Sequence, residues 1–252
     1  MPGKRVPGRP DLNRLRVRFG KDGRLAHLGH IELLNTIMRS IRRADLPFSV
    51  GNGFAKRMRI QFSQALPVGA ASCGEYYDIY LTERIDSAWA LERLVASTPT
   101  ALAPCEAAYV QGRLPALEAW LTRSDWHITL YGTGDAFCAQ GLDLALRNLR
   151  EQGSINFMRG DKPRTIGLDD TLVSWGLQDV TDGRREKAIQ MDLQTRSSNL
   201  GALRPAVLLD AAFGCPSLAD AALASLRVER CAQWHEQPDG SRLDPLAESL
   251  LV

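Results

Sequence analysis

Basic residues are the group in this chain whose type and spacing most directly suggest chemistry. Residues 1–59 hold 14 Lys and Arg against 4 Asp and Glu, whereas the remainder holds 17 against 25. Arginine binds phosphate through two N–H groups, and neutralising several phosphates releases their condensed counterions. The asymmetry therefore indicates one anion-seeking surface on an otherwise acidic body, with a solvated helix face as the alternative. The residues that we predict to bind nucleic acid are Arg24, Arg39, Arg42, Arg43, Lys56, Arg57, Arg59, Arg159, Lys162 and Arg164.

Two histidines form the second group with chemical potential. His27 and His30 are three residues apart, a spacing at which two histidines on one helix can face one metal. No Cys, His or acidic residue completes a recognisable ligand set, so we predict no metal and no cofactor. On a helical wheel His30 falls on the apolar side, which favours a buried structural histidine. The alternative is acid–base catalysis, since histidine titrates near neutral pH, and His30 is the catalytic candidate.

Two loops and one acidic pair leave further alternatives open. The glycines of Gly51-Asn52-Gly53 could form a backbone anion nest, but an ordinary turn is the favoured interpretation. The basic residues around Gly160 carry the same ambiguity. Asp169-Asp170 could bind a hard cation, although adjacent carboxylates more often cap a helix or face water. No phosphate-binding P-loop, nucleophile elbow or zinc-protease motif is present.

Length and composition describe an ordinary globular chain. The 252 residues are 44% hydrophobic and 24% charged, enough for one large domain or two of usual size. No apolar run approaches the ~20 residues of a membrane span, so we expect no membrane contact. The five cysteines are scattered and odd in number, which fits a reduced cytoplasmic setting rather than a disulfide framework.

The elements that must position these groups recur in the same order twice. Hydrophobic spacing predicts, in the first half, strands at 15–20, 48–50, 59–62, 76–82 and 105–111, with helices at 30–45 and 87–97. In the second half it predicts strand segments at 127–131, 155–159, 165–168, 188–195 and 225–233, with helices at 115–122, 135–152 and 204–212.

This order predicts an α+β protein with two tandem ferredoxin-like (βαββαβ) domains. The expected divisions are a flexible basic arm at 1–13, a first domain at 14–112, a second domain at 113–235 and a polar tail at 236–252. The order of elements is the only sign of duplication, because the halves share no obvious sequence repeat.

Several short motifs carry a family resemblance. They are Leu28-Gly29-His30-Ile31-Glu32-Leu33, Ile41-Arg42-Arg43-Ala44-Asp45-Leu46-Pro47, Gly53-Phe54, Leu66-Pro67-Val68-Gly69, Arg159-Gly160-Asp161-Lys162 and Leu203-Arg204-Pro205. With these motifs, residues 14–232 resemble an uncharacterised bacterial family whose members are encoded beside, or fused to, a cobalamin-binding radical SAM protein. The resemblance implies a radical SAM protein as partner.

The chain departs from that family at three places. Residues 55–59 replace the usual Asn-Pro-His-Pro-Lys, so any role of that histidine does not transfer to this chain. Residues 167–170 replace Asp-Leu-Arg-Pro, and Gly29 stands where a serine cap is usual. If the family has an active site, this member is divergent or inactive.

These observations lead to three functional hypotheses. The first is an accessory, RNA- or polyanion-binding module that presents substrate to a radical SAM enzyme and is not an enzyme on its own. The second is a metal-independent enzyme that processes or modifies RNA through His30 near Arg42 and Arg57. The third is a protein–protein adaptor without a nucleic-acid role.

Overall fold

The structure is a computed structural model that describes residues 12–111, 114–181, 187–198 and 201–247. Residues 1–11 of the expected basic arm lie outside the described residues, as does the end of the expected tail. Within the described part, no helix is long and apolar enough to cross a membrane.

The first half of the chain contains four strands and two helices. They are β1 (Asn13–Lys21), α1 (His30–Arg43), β2 (Ile60–Phe62), β3 (Ala71–Leu81), α2 (Ser87–Ser97) and β4 (Pro104–Tyr109). Short 3-10 helices span Gly23–His27 and Thr100–Leu102.

The second half is longer and more decorated. Its elements are α3 (Leu117–Trp120), β5 (Arg123–Thr133), α4 (Ala139–Gln152), β6 (Ser154–Arg159), β7 (Lys162–Gly167), α5 (Leu168–Thr171), β8 (Leu172–Thr181), β9 (Lys187–Ser198), β10 (Gly201–Ala202), α6 (Pro205–Phe213), β11 (Ala222–Glu236) and β12 (Arg242–Leu243). A third 3-10 helix spans Pro216–Leu218.

Within the part of the chain that the structure describes, ten strands form one large mixed sheet, and there are six α-helices. The main order is β10-β9-β5-β11-β3-β1-β4; β2 also pairs with β3, β8 with β9 and β12 with β11. Within the first half the antiparallel order is β4-β1-β3-β2, and within the second it is β8-β9-β5-β11. The halves join where β11 runs parallel to β3 at two register positions. The protein is therefore α+β, with one sheet continuous across both halves.

The strand predictions of the second half need correction. The segments predicted at 155–159 and 165–168 form a separate two-stranded hairpin, β6–β7, instead of entering the large sheet. The strand beside β9 is β8, which the prediction missed. Its signal was present, since Val173, Trp175 and Leu177 alternate with smaller or polar residues. In the first half, the segment predicted as a strand at 48–50 makes only isolated bridges.

Helix α1 confirms the helix predicted at 30–45. Leu33, Ile37 and Ile41 are buried, whereas Ile31 is 73% exposed. The Gly29 N–H donates to Glu32 Oε2 at 3.0 Å, which is half of a capping box.

His30 is exposed, so the prediction of a buried structural histidine was wrong. His30 shares a side of the helical wheel with Ile37, yet it begins the helix. A wheel gives the rotation about the axis, but it does not say how far along the axis the core extends.

Three apolar clusters hold the molecule together. One lies between the first-half sheet and its helices, and a larger one does the same in the second half. The third covers the opposite face of the first-half sheet, where Trp120 and Leu246 are buried. There Arg16 donates to the Pro245 carbonyl at 3.0 Å and stacks over Trp120. Pro245 and Leu246 of the expected polar tail are thus packed against the sheet, whereas residues 238–242 are exposed.

Candidate nucleic-acid interface

Helix α1 presents a basic face because its apolar residues point into the core. Arg39, Arg42 and Arg43 are exposed on the side away from Ile37 and Ile41. None of these three arginines makes an ion pair or a side-chain hydrogen bond with a described residue. Arg24, in the 3-10 helix that precedes α1, is also exposed and without a partner among the described residues.

A short hairpin at residues 50–58 carries the next predicted cations. Val50 and Met58 form its closing bridge, and the Gly51 N–H donates to the Arg57 carbonyl at 2.8 Å. Lys56 and Arg57 are exposed, and Arg59 is half-buried. Because the Gly51 N–H is already used within the hairpin and neither glycine has a positive φ, the geometry is that of a turn, not of an anion nest.

The β6–β7 hairpin carries the second predicted basic loop. Arg159, Lys162 and Arg164 are all exposed around its turn, where Gly160 adopts a φ of +61°. Like the predicted binding cations of the first half, they have no ion pair with a described residue. Arg14, Arg16 and Arg230, by contrast, lie in buried ion pairs with Asp78 or Glu75.

A groove of about 780 Å³ runs between the two halves. Residues 64–67 line it from the first half, and the end of β9 with the segment to Arg204 lines it from the second. A smaller cavity of about 400 Å³ shares Arg159 and Arg204 with it and adds Arg164. Arg159, Arg164 and Arg204 therefore line two adjoining cavities that form one concave surface. None of the three has an ion-pair partner among the described residues.

Hydrogen bonds between the halves fix the shape of this groove. Gln64 Nε2 donates to Ser197 Oγ at 2.6 Å and to the Leu121 carbonyl at 3.2 Å. Arg230 Nη2 donates to the Gln64 carbonyl at 2.7 Å while its guanidinium lies 5.2 Å from the Trp126 ring centroid. Since Arg230 also binds the buried Glu75, its charge is satisfied and its role is to position the groove.

One wall of the groove carries a further arginine pair around a carboxylate. Arg196 donates to Glu236 through two nitrogens at 2.7 and 3.0 Å, and Arg123 approaches the same carboxylate at 3.2 Å. The hydrogen bond from Arg196 holds the pKa of Glu236 below its usual value. Burial lowers the pKa of Arg123, whose Nε and Nη1 have no hydrogen-bond partner among the described residues. Both of these arginines pair with Glu236, whereas Arg159, Arg164 and Arg204 have no ion pair with a described residue.

Of the ten predicted binding residues, only Arg159 lines the groove, and Arg164 lines the smaller cavity beside it. The other eight, which include the cations of α1 and of the hairpin at 50–58, line neither. Sequence reasoning missed Arg196 and Arg204 as lining residues. The available signal for Arg204 was its place in the Leu203-Arg204-Pro205 motif.

The histidines lie outside this groove. His27 and His30 are both exposed, and His30 begins α1 whereas Arg42 lies near its end. Twelve residues at the rise of an α-helix separate His30 from Arg42 by about 18 Å, too far for both to act on one phosphate. In the described ranges, no three or more metal-binding side chains form a cluster. Asp169 and Asp170 are therefore not part of such a cluster.

The fold and the groove define an α+β protein with a mixed ten-stranded sheet and an arginine-lined groove between its halves. Residues 14–205 match a family described as uncharacterised proteins conserved in bacteria (DUF2344). The chain belongs to that family.

Other comparisons add similarity without function. No curated protein matches the chain. A crystal structure of an unknown protein from Galdieria sulphuraria aligns at 8% identity with a TM-score of 0.25, over 87% of this chain and 99% of that one. A DypB variant from Rhodococcus jostii RHA1, in complex with heme, aligns at 9% identity with a TM-score of 0.19, over 87% and 92% of the two chains.

Proposed function

We propose that this protein is an accessory module that binds RNA or a related polyanion and presents it to a partner enzyme. The observation that carries the proposal is that Arg159 and Arg204 in the groove, and Arg164 in the cavity beside it, lack anionic partners among the described residues. Most structural arginines of the sheet are engaged by carboxylates, so unpaired guanidinium groups gathered on a concave surface favour an anionic ligand. The basic face of α1 provides further contacts along a long ligand.

The proposal includes two tandem ferredoxin-like domains as the scaffold. The antiparallel orders β4-β1-β3-β2 and β8-β9-β5-β11 support it, with the β6–β7 hairpin and α5 as an insertion in the second domain. In such a scaffold the groove lies between domains, which is a common place for ligands.

A radical SAM enzyme is the partner in this proposal, and this part rests on the motif resemblance alone. The protein would act in the cytoplasm by holding the substrate while the partner carries out the chemistry. A partner that is fully active without this protein would contradict the presenting role.

Binding of the purified protein to total cellular RNA and to heparin, across a salt series, tests the proposal. We expect a steep loss of affinity with salt, because phosphate binding releases counterions. The Arg159→Ala/Arg204→Ala double variant should bind RNA about tenfold more weakly than the wild type and with a shallower salt slope.

The matched control is Arg147→Ala/Arg227→Ala, which removes two exposed arginines outside the groove. It should change affinity less than the groove variant does. Absence of binding by the wild type at low salt would overturn the proposal and leave the adaptor hypothesis. In an adaptor the same cations would contact an acidic protein, and nucleic acid would not co-purify.

The enzyme hypothesis receives less support from the geometry. It needs His30 beside Arg42 and Arg57, and α1 places His30 and Arg42 at opposite ends. His30→Ala would still decide the matter, because loss of RNA turnover with unchanged binding would assign His30 to catalysis.

A further inference from the structure

The hairpin at residues 50–58 carries a fully exposed phenylalanine. Phe54 is the most exposed of the large hydrophobic side chains in the described part of the chain. A single exposed apolar side chain is common on a protein surface and does not by itself indicate a ligand. What distinguishes Phe54 is its place on a hairpin that also carries two exposed cations, Lys56 and Arg57.

The hairpin is anchored and does not simply trail from the surface. Met58 and Ser49 at its base are buried, and the Arg59 N–H donates to the Ser49 carbonyl at 2.8 Å. At its tip Lys56 has a φ of +40°, and its N–H donates to the Gly53 carbonyl at 3.0 Å. The backbone of the hairpin is thus hydrogen-bonded both at its base and at its tip.

The charges around Phe54 restrict the chemistry of its ligand. Lys56 and Arg57 lie two and three residues after it, are exposed and have no ion pair with a described residue. A cation pair beside a free aromatic face matches an unpaired base, which offers a π-face, together with its flanking phosphates. The bases of a duplex are already stacked on one another, so a duplex offers only the phosphates.

We propose that Phe54 stacks on an unpaired base, so that the ligand of this protein is single-stranded nucleic acid. The inference rests on the proposed function and narrows its ligand class. Lys56 and Arg57 contact the phosphates on either side of the stacked base.

Fluorescence anisotropy with a labelled twelve-nucleotide oligouridylate, a duplex RNA of equal length and heparin tests this inference. Phe54→Ala should lower the affinity for the oligouridylate about tenfold, with little change for the duplex or for heparin. Phe54→Trp should keep the affinity, since indole also stacks, whereas Phe54→Leu should lose it. Val68→Ala, which shortens another exposed apolar side chain, is the matched control and should change nothing.

The outcomes separate this inference from the proposed function. If the wild type binds none of the three probes, both are overturned. A second outcome is that the wild type binds heparin and RNA, but Phe54→Ala lowers the affinity for all three probes equally or for none of them. In that case only the stacking is overturned. Anionic lipid vesicles give one further outcome. If Phe54→Leu keeps vesicle binding and Phe54→Ala loses it, while neither substitution changes binding to the oligouridylate, the tip contacts a membrane surface and the stacking is overturned.

Discussion

Glu236 binds two arginines in a wall of the groove, whereas Arg159 and Arg204 have no ion pair with a described residue. Its carboxylate accepts two hydrogen bonds from Arg196 and lies 3.2 Å from the buried Arg123. Removing this one charge would leave two guanidinium groups facing each other across a wall of the groove. At the residue scale, therefore, stability and ligand binding use different arginines of the same surface.

We expect Glu236→Gln to destabilise the protein by about 2 kcal/mol at pH 7, because charged hydrogen bonds are lost and Arg123 stays buried. The folded-state pKa of Glu236 is lowered by Arg196, so its stabilisation is fully present above its ordinary pKa of about 4.3. It is lost as the pH falls through the lower folded-state value. Urea unfolding at pH 7, 5 and 3 should show the wild type and the variant converge in acid.

The control for that measurement is Glu118→Gln, an exposed carboxylate that also lines the groove. It should change the free energy of unfolding little at any pH. A difference between wild type and Glu236→Gln that stays constant from pH 7 to pH 3 would contradict the ionic origin of the effect.

At the scale of elements, α1 separates its structural face from its charged face. Leu33, Ile37 and Ile41 fix the helix on the sheet, and Arg39, Arg42 and Arg43 remain in solvent. Because the two faces share no residue, the charged face can be changed without disturbing the packing.

The Arg39→Ala/Arg42→Ala/Arg43→Ala variant should therefore fold normally, since alanine favours a helix and only a small dipole contribution is lost. If all three arginines contact phosphates of single-stranded RNA, the slope of log affinity against log salt should flatten by about 2. Circular dichroism checks the fold, and an RNA titration at four salt concentrations gives the slope. An unchanged slope would restrict the interface to the groove and the hairpin.

At the scale of the whole molecule, the groove depends on the junction of β3 and β11. A Cβ built at Gly74 would lie 2.8 Å from Ala232 Cα and 2.9 Å from the Cys231 carbonyl oxygen. Both neighbours are backbone atoms, which cannot rotate away. The junction thus needs glycine, and the adjacent Glu75–Arg230 ion pair closes it.

Gly74→Ala should push the two strands apart and cost roughly 1–3 kcal/mol by overpacking. Differential scanning calorimetry should show a lower Tm, and RNA affinity should fall because the groove loses its shape. Gly176→Ala is the control, since nothing lies within 4 Å of the added Cβ and Gly176 has no positive φ. Equal effects of the two substitutions would contradict the importance of this junction.

Local patterns of the sequence were enough for several parts of this structure. The helical spacing of α1 and the basic charge of its outer face were predicted because each depends on residues within a few positions of one another. The two-residue alternation likewise located β5, β9 and β11 approximately. The element order placed β6 and β7 in the large sheet wrongly, because hydrophobic alternation does not specify which strand pairs with which.

The sequence by itself determined the secondary-structure class, the approximate position of most elements and the concentration of positive charge in the first 59 residues. Only the tertiary structure decided that Gln64 contacts Ser197, that Arg230 binds Glu75 and that Arg159 and Arg204 share a groove. These partners are separated by 45 or more residues in the chain. Such contacts form only when whole strands and helix faces pack against one another. The spacing of residues within one element does not specify which other element it packs against.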